Sequence, residues 1–176
     1  MYTLHPIVKF KRVNPDAPTP SKAHSTDAGY DLCAMEDVVL MPGEWRMIGS
    51  GIAAAIPVGY KGMVYPRSGL GCKGLVLKNG TGVIDSDYRG EIKLTLHNNN
   101  PTHVWIEEEG AIAGMCTHRL VRNDDGAISV HKGDRVAQLC IELVPDTELV
   151  EVDELDETER GFGSFGSTGI SGGERL

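Results

Sequence analysis

The chain contains the stretch GTGVIDSDYRGEI at residues 80–92. Its apolar residues Val83, Ile84 and Ile92 lie on both sides of a polar segment, so the pattern predicts a strand that folds back on itself around a polar tip. Within residues 85–89 that tip carries two carboxylates, a tyrosine and an arginine. Because Asp, Ser and Gly are common turn residues, a solvated turn is the simplest interpretation. A binding or catalytic site is the alternative.

The rest of the chain has the pattern of an all-β protein with a single core. Its 176 residues are 40% hydrophobic and 24% charged, which is enough for one sizeable core. Short apolar runs with a period of two, separated by turn residues, predict a sandwich or barrel, and no segment has the pattern of a long amphipathic helix. These runs are IVKFKRV, DVVLM, GIAAAI, GMVY, GLVL, EIKLTLHN, THVWIE, CTHRLV, AISV and VAQLCIELV.

The charge balance and the apolar runs limit the partners of the chain. A formal net charge of −8 does not suit a surface that neutralises nucleic-acid phosphates, so we expect no direct nucleic-acid binding. The apolar runs fall short of the roughly 20 residues that span a bilayer, and the N-terminal residues lack the apolar segment of a signal peptide. We therefore expect no membrane contact and a cytoplasmic location, in the host cytoplasm if a phage encodes the protein.

The cysteines and histidines do not have the spacing of a metal site. Cys33, Cys72, Cys116 and Cys140 form no C-x-x-C pair, so we expect buried or half-buried thiols rather than a zinc site or a redox pair. Cys116 and His118 face one side of a predicted strand, where ordinary packing is favoured over metal ligation.

Two overlapping glycine-rich stretches are candidates for phosphate binding. GLGCKG, residues 69–74, matches G-x-G-x-x-G, but no strand–helix–strand unit surrounds it, and the dinucleotide interpretation is rejected. PRSGLG, residues 66–71, supplies an arginine, a hydroxyl and glycine amides in sequence, which can surround phosphate oxygens.

The C-terminal part of the chain changes in composition. In residues 146–160 the alternation of Leu149, Val150, Val152 and Leu155 is compatible with an edge strand. The following residues are too rich in Gly and Ser to pack a core, so they are predicted to be mobile when no ligand is bound. We predict a single β domain over residues 1–159 and a flexible tail over residues 160–176.

Five stretches of the sequence resemble, in the same order, the five motifs of the trimeric dUTPases. They are DAGYDL (27–32), PRSGLG (66–71), GVIDSDYRG (82–90), GDRVAQL (133–139) and RGFGSFGSTG (160–169). The resemblance implies a jelly-roll-like β-clip fold with a mobile C-terminal arm. It also implies a homotrimer whose three active sites lie at subunit interfaces and use Mg²⁺.

The activity that the resemblance implies is hydrolysis of dUTP to dUMP and pyrophosphate. Water attacks the α-phosphorus and no covalent enzyme intermediate forms. Such an enzyme limits uracil incorporation into DNA and supplies dUMP for dTMP synthesis.

The resemblance also implies how the nucleoside is read. The hairpin pairs with the uracil edge through its backbone, including Val83, Ile84 and the main chain of Lys93, together with the side-chain amide of Asn79. The closed turn has no room for the methyl group of thymine. The ring of Tyr88 lies against the deoxyribose, where a ribose 2′-hydroxyl would have to sit. Cross-strand packing is the alternative role for Tyr88.

For catalysis, Asp85 matches the carboxylate that positions and deprotonates the attacking water, since a carboxylate is ionised at neutral pH. Asp87 is then a turn residue that faces solvent. Asp31 matches the residue that holds the magnesium ion of the triphosphate through water. Capping of a turn is the alternative role for Asp31.

The remaining matched residues bind phosphate or close the site. From the second and fourth motifs these are Arg67, Ser68, Gly69 and Gln138. An ordinary hydrogen bond to the backbone is the alternative for Gln138. In the tail, Arg160 approaches the γ-phosphate and Phe165 stacks on uracil, and Gly166, Ser167 and Thr168 complete the phosphate contacts. Phe162 and Ser164 stand where glycine is common in the family, which is a departure in the closing segment. Phe165 keeps the spacing of the family to the final GSTG, so it is preferred to Phe162 as the stacking ring.

The spacing before the fourth motif departs from a compact member of the family. Residues 101–127 intervene, and their two β-like runs around EEEGA predict an added hairpin. The insert resembles those of some phage-encoded dUTPases. A binding site for a protein partner is one interpretation, and a neutral surface elaboration is favoured over it.

Two other functions fit the sequence less well. A dCTP deaminase, or a bifunctional deaminase and dUTPase of the same fold, would need a glutamate base in a different motif. An interaction protein controlled by nucleotide and using residues 101–127 would be expected to lose Asp85 or Arg160. The sequence keeps both residues, and dUTP hydrolysis is therefore favoured.

Overall fold

A computed structural model describes residues 6–101, 104–112, 115–122 and 126–164 of the chain. These residues form strands and one short helix, which confirms the prediction of an all-β fold. In chain order the elements are β1 Lys9–Arg12, β2 Gly29–Cys33, β3 Val38–Leu40, β4 Trp45–Ala55, β5 Tyr60–Pro66, α1 Ser68–Gly71, β6 Leu75–Leu77, β7 Gly82–Ile84, β8 Glu91–Asn98, β9 Val104–Ile112, β10 Met115–Arg122, β11 Ile128–Val130 and β12 Arg135–Leu143. No helix in the described ranges combines the length and the apolarity needed to cross a membrane.

Two four-stranded antiparallel sheets form the body of the protein. Their strand orders are β1-β4-β8-β6 and β2-β12-β5-β7, and β3 pairs with β11 in a small separate sheet. A cluster of buried apolar side chains draws on both large sheets, with Ile48 and Leu94 from the first and Leu32, Val64 and Leu139 from the second. The core therefore lies between the sheets, as expected for a layered all-β domain.

Strand β8 shows how the alternating pattern of the sequence sets the two faces of a sheet. Ile92, Leu94 and Leu96 are almost fully buried, while Lys93 and Thr95 lie on the opposite face. Successive side chains of a strand point to opposite sides. The period of two in EIKLTLHN was therefore sufficient to predict which residues enter the core.

Residues 80–92 connect the two large sheets. Strand β7 pairs with β5 in one sheet, whereas β8 pairs with β4 and β6 in the other. The expectation of a single strand folded back on itself is therefore wrong. Ile84 and Ile92 both contact the core, but from different sheets. Alternating apolar residues indicate which side is buried and do not determine the partner strand, so the pattern fitted both arrangements.

The chain divides into two compact units, with the boundary after Pro145. In the second unit, residues 146–164 contain no strand, and the edge strand expected there is wrong. Leu149 is 99% exposed and Leu155 is 86% exposed. A strand needs a neighbouring strand to pair its N–H and C=O groups, and these residues have none within their own unit. The division into residues 1–159 and a mobile tail over residues 160–176 remains a prediction.

Residues 101–127 contain the antiparallel pair β9 and β10. Their register runs from Met115 opposite Ile112 to Arg122 opposite Val104, with an irregularity between Thr117 and His118. Strand β9 continues through the segment EEEGA, so the chain reverses after Ile112 and not within that segment. Glu and Gly are uncommon inside strands, and for this reason the sequence placed the turn too early.

We predict that Val38 and its neighbour Val39 differ in their contribution to stability. Val38 is 8% exposed and Val39 is 56% exposed on the same strand. Val38→Ala should lower the free energy of unfolding by about 1.5–3 kcal/mol, because buried methyl groups are lost and a cavity remains. Val39→Ala should lower it by less than about 0.5 kcal/mol. Urea unfolding at one protein concentration measures both, and equal losses would contradict the orientation of β3.

Candidate active site

A cavity of about 350 Å³ lies beside the connection between the two large sheets. It is lined by β7, the loop that follows, the first half of β8 and parts of β4 to β6. Six residues predicted for the nucleoside and for catalysis line it, although they come from different elements. They are Asn79, Val83, Ile84, Asp85, Tyr88 and Lys93.

The loop after β7 is held by hydrogen bonds within itself and to β8. The N–H of Tyr88 donates to the carbonyl of Asp85 at 3.1 Å, and the hydroxyl of Tyr88 donates to the carbonyl of Glu91 at 3.0 Å. Arg89 donates through Nη1 to the carbonyls of Ser86 and Tyr88. A Cβ at position 90 would collide with the hydroxyl end of the Tyr88 ring, so a side chain there would displace Tyr88. Tyr88 lies outside the strands, so the alternative role of cross-strand packing is wrong.

Strand β8 is held where it joins this loop. The hydroxyl of Ser50, a buried side chain on β4, donates to the carbonyl of Ile92 at 2.6 Å. The N–H of Gly51 donates to Oε1 of Glu91 at 2.8 Å. These bonds lie at the irregularity in the pairing of β4 with β8, between Gly49 and Ala53. The wall of the cavity is thereby fixed to the core.

The two carboxylates of the loop differ in position. Asp85 directly follows β7 and lines the cavity, whereas Asp87 is exposed at the turn and lines none of the cavities described here. No group among the described residues donates a hydrogen bond to the carboxylate of Asp85. That carboxylate is therefore available to accept a hydrogen bond from water or a ligand at the edge of the cavity.

A second cavity, of about 490 Å³, is lined by cationic side chains and a hydroxyl group. Arg67 follows β5, Ser68 and Gly69 begin α1, and Gln138 lies on β12 opposite Tyr65 of β5. All four of the residues that the sequence predicted here for phosphate contact line this cavity, together with Lys73. Backbone N–H groups, a hydroxyl and cationic side chains are suitable for phosphate oxygens.

No backbone group among the described residues bonds to the side-chain amide of Gln138, so the alternative role predicted for it is not observed. Sequence reasoning missed Lys73. Lys73 lies in GLGCKG, two residues after the candidate phosphate-binding stretch PRSGLG, and this position was the signal that could have identified it.

Asp31 is at the centre of an ion-pair network that includes Arg67, a residue of the second cavity. Its carboxylate is 7% exposed. Oδ1 lies 3.2 Å from Nε of Arg67, and Oδ2 accepts a hydrogen bond from Nη1 of Arg135 at 3.2 Å. Nη1 of Arg67 also donates to the main-chain carbonyl of Arg135 at 3.1 Å. Asp31 therefore fixes the position of Arg67, and turn capping is not its role. Sequence reasoning missed Arg135, although it lies within GDRVAQL.

The donor set around Asp31 fits a hydrated divalent cation only in part. Oδ1 is a buried carboxylate oxygen without a hydrogen bond, because Arg67 approaches it outside hydrogen-bonding geometry. Such an oxygen can accept from a water ligand of Mg²⁺. No group of three or more His, Cys, Asp or Glu side chains within the described ranges is arranged to hold an ion. An ion here would therefore take its direct ligands from the nucleotide and from water.

The thiols of Cys33 and Cys140 are not suited to nucleophilic catalysis. Burial raises the pKa of Cys33, and the neighbouring charge of Asp31 raises it further, so Cys33 is a neutral thiol. The pKa of Cys140 is also raised, chiefly by burial. Cys72 is exposed beside α1, so the expectation of a buried or half-buried thiol is wrong for it. A four-residue helix has too little surface to cover that side chain.

The predicted residues of the tail belong to the second unit. Nε of Arg160 donates to the carbonyl of Gly163 at 3.0 Å, and the N–H of Gly163 donates to the carbonyl of Arg160. Phe162 is fully exposed. Phe165, Gly166, Ser167 and Thr168 lie outside the described residues, so their predicted contacts stay predictions.

The sequence matches a known protein family. The model of the dUTPase family matches residues 15–123 and 113–169. The chain belongs to the dUTPase family. The deoxyuridine 5′-triphosphate nucleotidohydrolase of Nocardia farcinica is 44% identical over 155 residues, which cover 88% of this chain and 79% of that dUTPase. The enzyme of the same name from Rhodococcus erythropolis is 40% identical over 98% of this chain and 90% of its own length.

Solved structures of dUTPases share the fold. The dUTPase of Staphylococcus bacteriophage 80alpha with dUpNHpp superposes with a TM-score of 0.75 at 33% identity, covering 93% of this chain and 99% of that one. The dUTPase of phage phi11 of S. aureus, described as showing a species-specific insert, has a TM-score of 0.69 at 30% identity and covers 86% and 99%. The prediction of a jelly-roll-like β-clip fold is thereby confirmed.

We predict that Asp31→Asn destabilises the protein at neutral pH. The amide keeps the shape of the side chain but removes the charge that opposes Arg67 and Arg135. Loss of one partner of a buried ion pair costs about 3–5 kcal/mol, and because both arginines are partly exposed we expect about 1–3 kcal/mol. Asp87→Asn, at an exposed turn, is the control and should change stability by less than about 0.5 kcal/mol. Chemical denaturation of both variants tests this, and equal stabilities would contradict the network.

Proposed function

We propose that this chain is a dUTP diphosphatase, which hydrolyses dUTP to dUMP and pyrophosphate. The observation that carries the proposal is the position of Asp85, Tyr88 and Asn79 on the wall of one cavity. Membership of the dUTPase family supports the same conclusion. Incubation of the purified protein with dUTP, dCTP and dTTP in the presence of Mg²⁺, with separation of the products, tests it directly. Release of uracil nucleotides from dCTP would instead support a deaminase.

The cavity lined by β7 and β8 receives the nucleoside. Main-chain groups of β7 and β8 and the amide of Asn79 pair with the edge of the base. Cytosine reverses the donor and the acceptor along one edge of the ring, which would leave groups of the site unpaired and disfavour it strongly. The ring of Tyr88, held by its hydroxyl against Glu91, lies beside the sugar and excludes a 2′-hydroxyl.

Asp85 activates the attacking water. Its carboxylate accepts a hydrogen bond from the water and orients the oxygen towards the α-phosphorus. As the new P–O bond forms and the bond to the pyrophosphate oxygen breaks, the proton passes from water to the carboxylate. The side chain of Asp85 is exposed at the edge of the cavity, so it can release that proton to solvent after each turnover.

The second cavity receives the phosphates. Arg67, Lys73 and Gln138, with the N–H groups of Ser68 and Gly69, donate to phosphate oxygens and stabilise the charge that moves to the leaving group. Asp31 keeps the guanidinium of Arg67 in position for this contact. Asp31 would also hold Mg²⁺ through water, and the ion would supply neutralisation of the triphosphate charge.

We further propose a homotrimer with sites shared between subunits. Gln138, Arg160 and the predicted residues of the tail would then contact a nucleotide whose base is bound by another subunit. Closure of the tail over the nucleotide excludes water and adds donors around the phosphates.

A protein partner at residues 101–127 is a second proposal. Staphylococcal phage dUTPases that resemble this chain are described as controlling the transfer of virulence genes. Strands β9 and β10 pair with each other and with no other described strand, which supports an element that projects from the sheets and can contact a partner. Deletion of this hairpin should leave dUTP hydrolysis intact if its role is binding alone.

We expect Asp85→Asn to reduce kcat by about 100-fold or more, because the amide cannot accept the proton of water. Binding of dUTP should persist, since the amide keeps the shape of the side chain. Steady-state kinetics and calorimetry measure the two effects. Asp87→Asn is the matched control on the same loop and should keep most of the wild-type kcat. Similar rates for the two variants would rule out Asp85 as the general base.

Shared sites also predict complementation between inactive subunits. When Asp85→Asn protein is mixed with Arg160→Ala protein and the subunits exchange, some sites regain both residues, and activity should return. Native mass spectrometry confirms that mixed trimers have formed. Exchange without any recovery of activity would contradict sites built from more than one chain.

A further inference from the structure

Asn79 has a hydrogen-bond partner that none of the five motifs includes. The hydroxyl of Thr95 donates to Oδ1 of Asn79 at 2.7 Å. Both residues line the first cavity, which we propose receives the nucleoside, although they are on different elements. The carbonyl of Thr95 also accepts from the N–H of Lys78 at 2.7 Å, so the turn that carries Asn79 is attached to β8 through both the main chain and the side chain.

The bond to Thr95 determines which end of the amide remains available. A side-chain amide has an acceptor oxygen and a donor nitrogen, and rotation by half a turn exchanges them. With Oδ1 bonded to Thr95, Nδ2 lies towards Gly82 at the start of β7, 3.6 Å from where a Cβ of residue 82 would be. No described residue accepts a hydrogen bond from Nδ2. The group that Asn79 offers to a ligand is therefore a donor.

The opposite orientation of the amide is disfavoured. If Nδ2 faced Thr95, the hydroxyl would accept its hydrogen bond and its own proton would need another acceptor. Within the described residues this hydroxyl has no second partner, and its cross-strand neighbour on β4 is Met47, whose side chain is apolar. The bond is exposed in the free protein, but a base that fills the cavity would displace water from it. A hydroxyl proton without an acceptor is then costly, so Thr95 selects one orientation.

We propose that Thr95 is a specificity-determining positioning residue, which acts through Asn79. It keeps Nδ2 directed at the base, so that the cavity prefers a pyrimidine with a carbonyl oxygen at that position over one with an amino group. Uracil satisfies this condition through its carbonyl, whereas the amino group of cytosine would bring two donors together. The inference rests on the proposed function, because it takes Asn79 to contact the base.

The test compares Thr95→Val with Thr95→Ser. Valine has nearly the shape of threonine but no hydroxyl, and serine keeps the hydroxyl. The readout is the ratio of kcat/KM for dUTP to kcat/KM for dCTP. Loss of one neutral hydrogen bond predicts that Thr95→Val lowers this ratio by about threefold to tenfold. Thr95→Ser should stay within about twofold of the wild type. An unchanged ratio in Thr95→Val overturns the proposal.

A double-mutant cycle shows whether Thr95 acts through Asn79. In an Asn79→Ala background the substitution Thr95→Val should not change the ratio further, because the amide that it orients is absent. A change as large as in the single variant would show that Thr95 contacts the base itself or only supports the fold, and would overturn the proposal. Asn79→Asp offers only acceptors and should shift the preference towards cytosine even if Thr95→Val is unstable.

Binding experiments separate this inference from the proposed activity. Calorimetry with dUMP and dCMP measures base preference without hydrolysis, and Thr95→Val should narrow the wild-type preference for dUMP. A wild-type preference for dUMP that Thr95→Val narrows, in a protein that does not hydrolyse dUTP, would contradict the proposed function and support the role of Thr95. A wild-type protein with no preference between the two would overturn the role of Thr95.

Discussion

Ile84 and Ile92 are close in sequence, yet each contacts the core from a different sheet. The residues between them must pass from one sheet to the other, and they cannot be buried because their polar groups would lose water. This constraint places residues 85–90 at the surface, beside an opening that neither sheet fills. The candidate active site depends on that crossing, because it brings Asp85 and Tyr88 to the same cavity wall.

The arrangement of residues at the second cavity depends on charge and not on apolar packing. A buried carboxylate is stable only when opposing charges compensate it, and Asp31 has two guanidinium groups against it. The arginines are thereby drawn to the ends of β5 and β12, where α1 exposes the N–H groups of its first residues. An acidic protein with a net charge of −8 can in this way present a local cationic site to an anionic ligand.

The two cavities differ in the residues that line them. The first cavity is lined by apolar residues, the amide of Asn79, the anchored ring of Tyr88 and three charged side chains, Asp85, Glu91 and Lys93. The second cavity contains Arg67 and Lys73, which suit phosphates. Asp85 lines the first cavity at the end of β7.

The sequence by itself determined the all-β class, the core face of β8 and the residues of the five motifs, because these depend on local alternation and on short segments. It did not determine the partner of β7, the absence of a strand among residues 146–164, or the contacts of Arg135 and Thr95. Asp31 and Arg135 are 104 positions apart, and Asn79 and Thr95 are 16 apart. Contacts between such distant residues arise only when the sheets assemble, since no local pattern records which strand lies beside which.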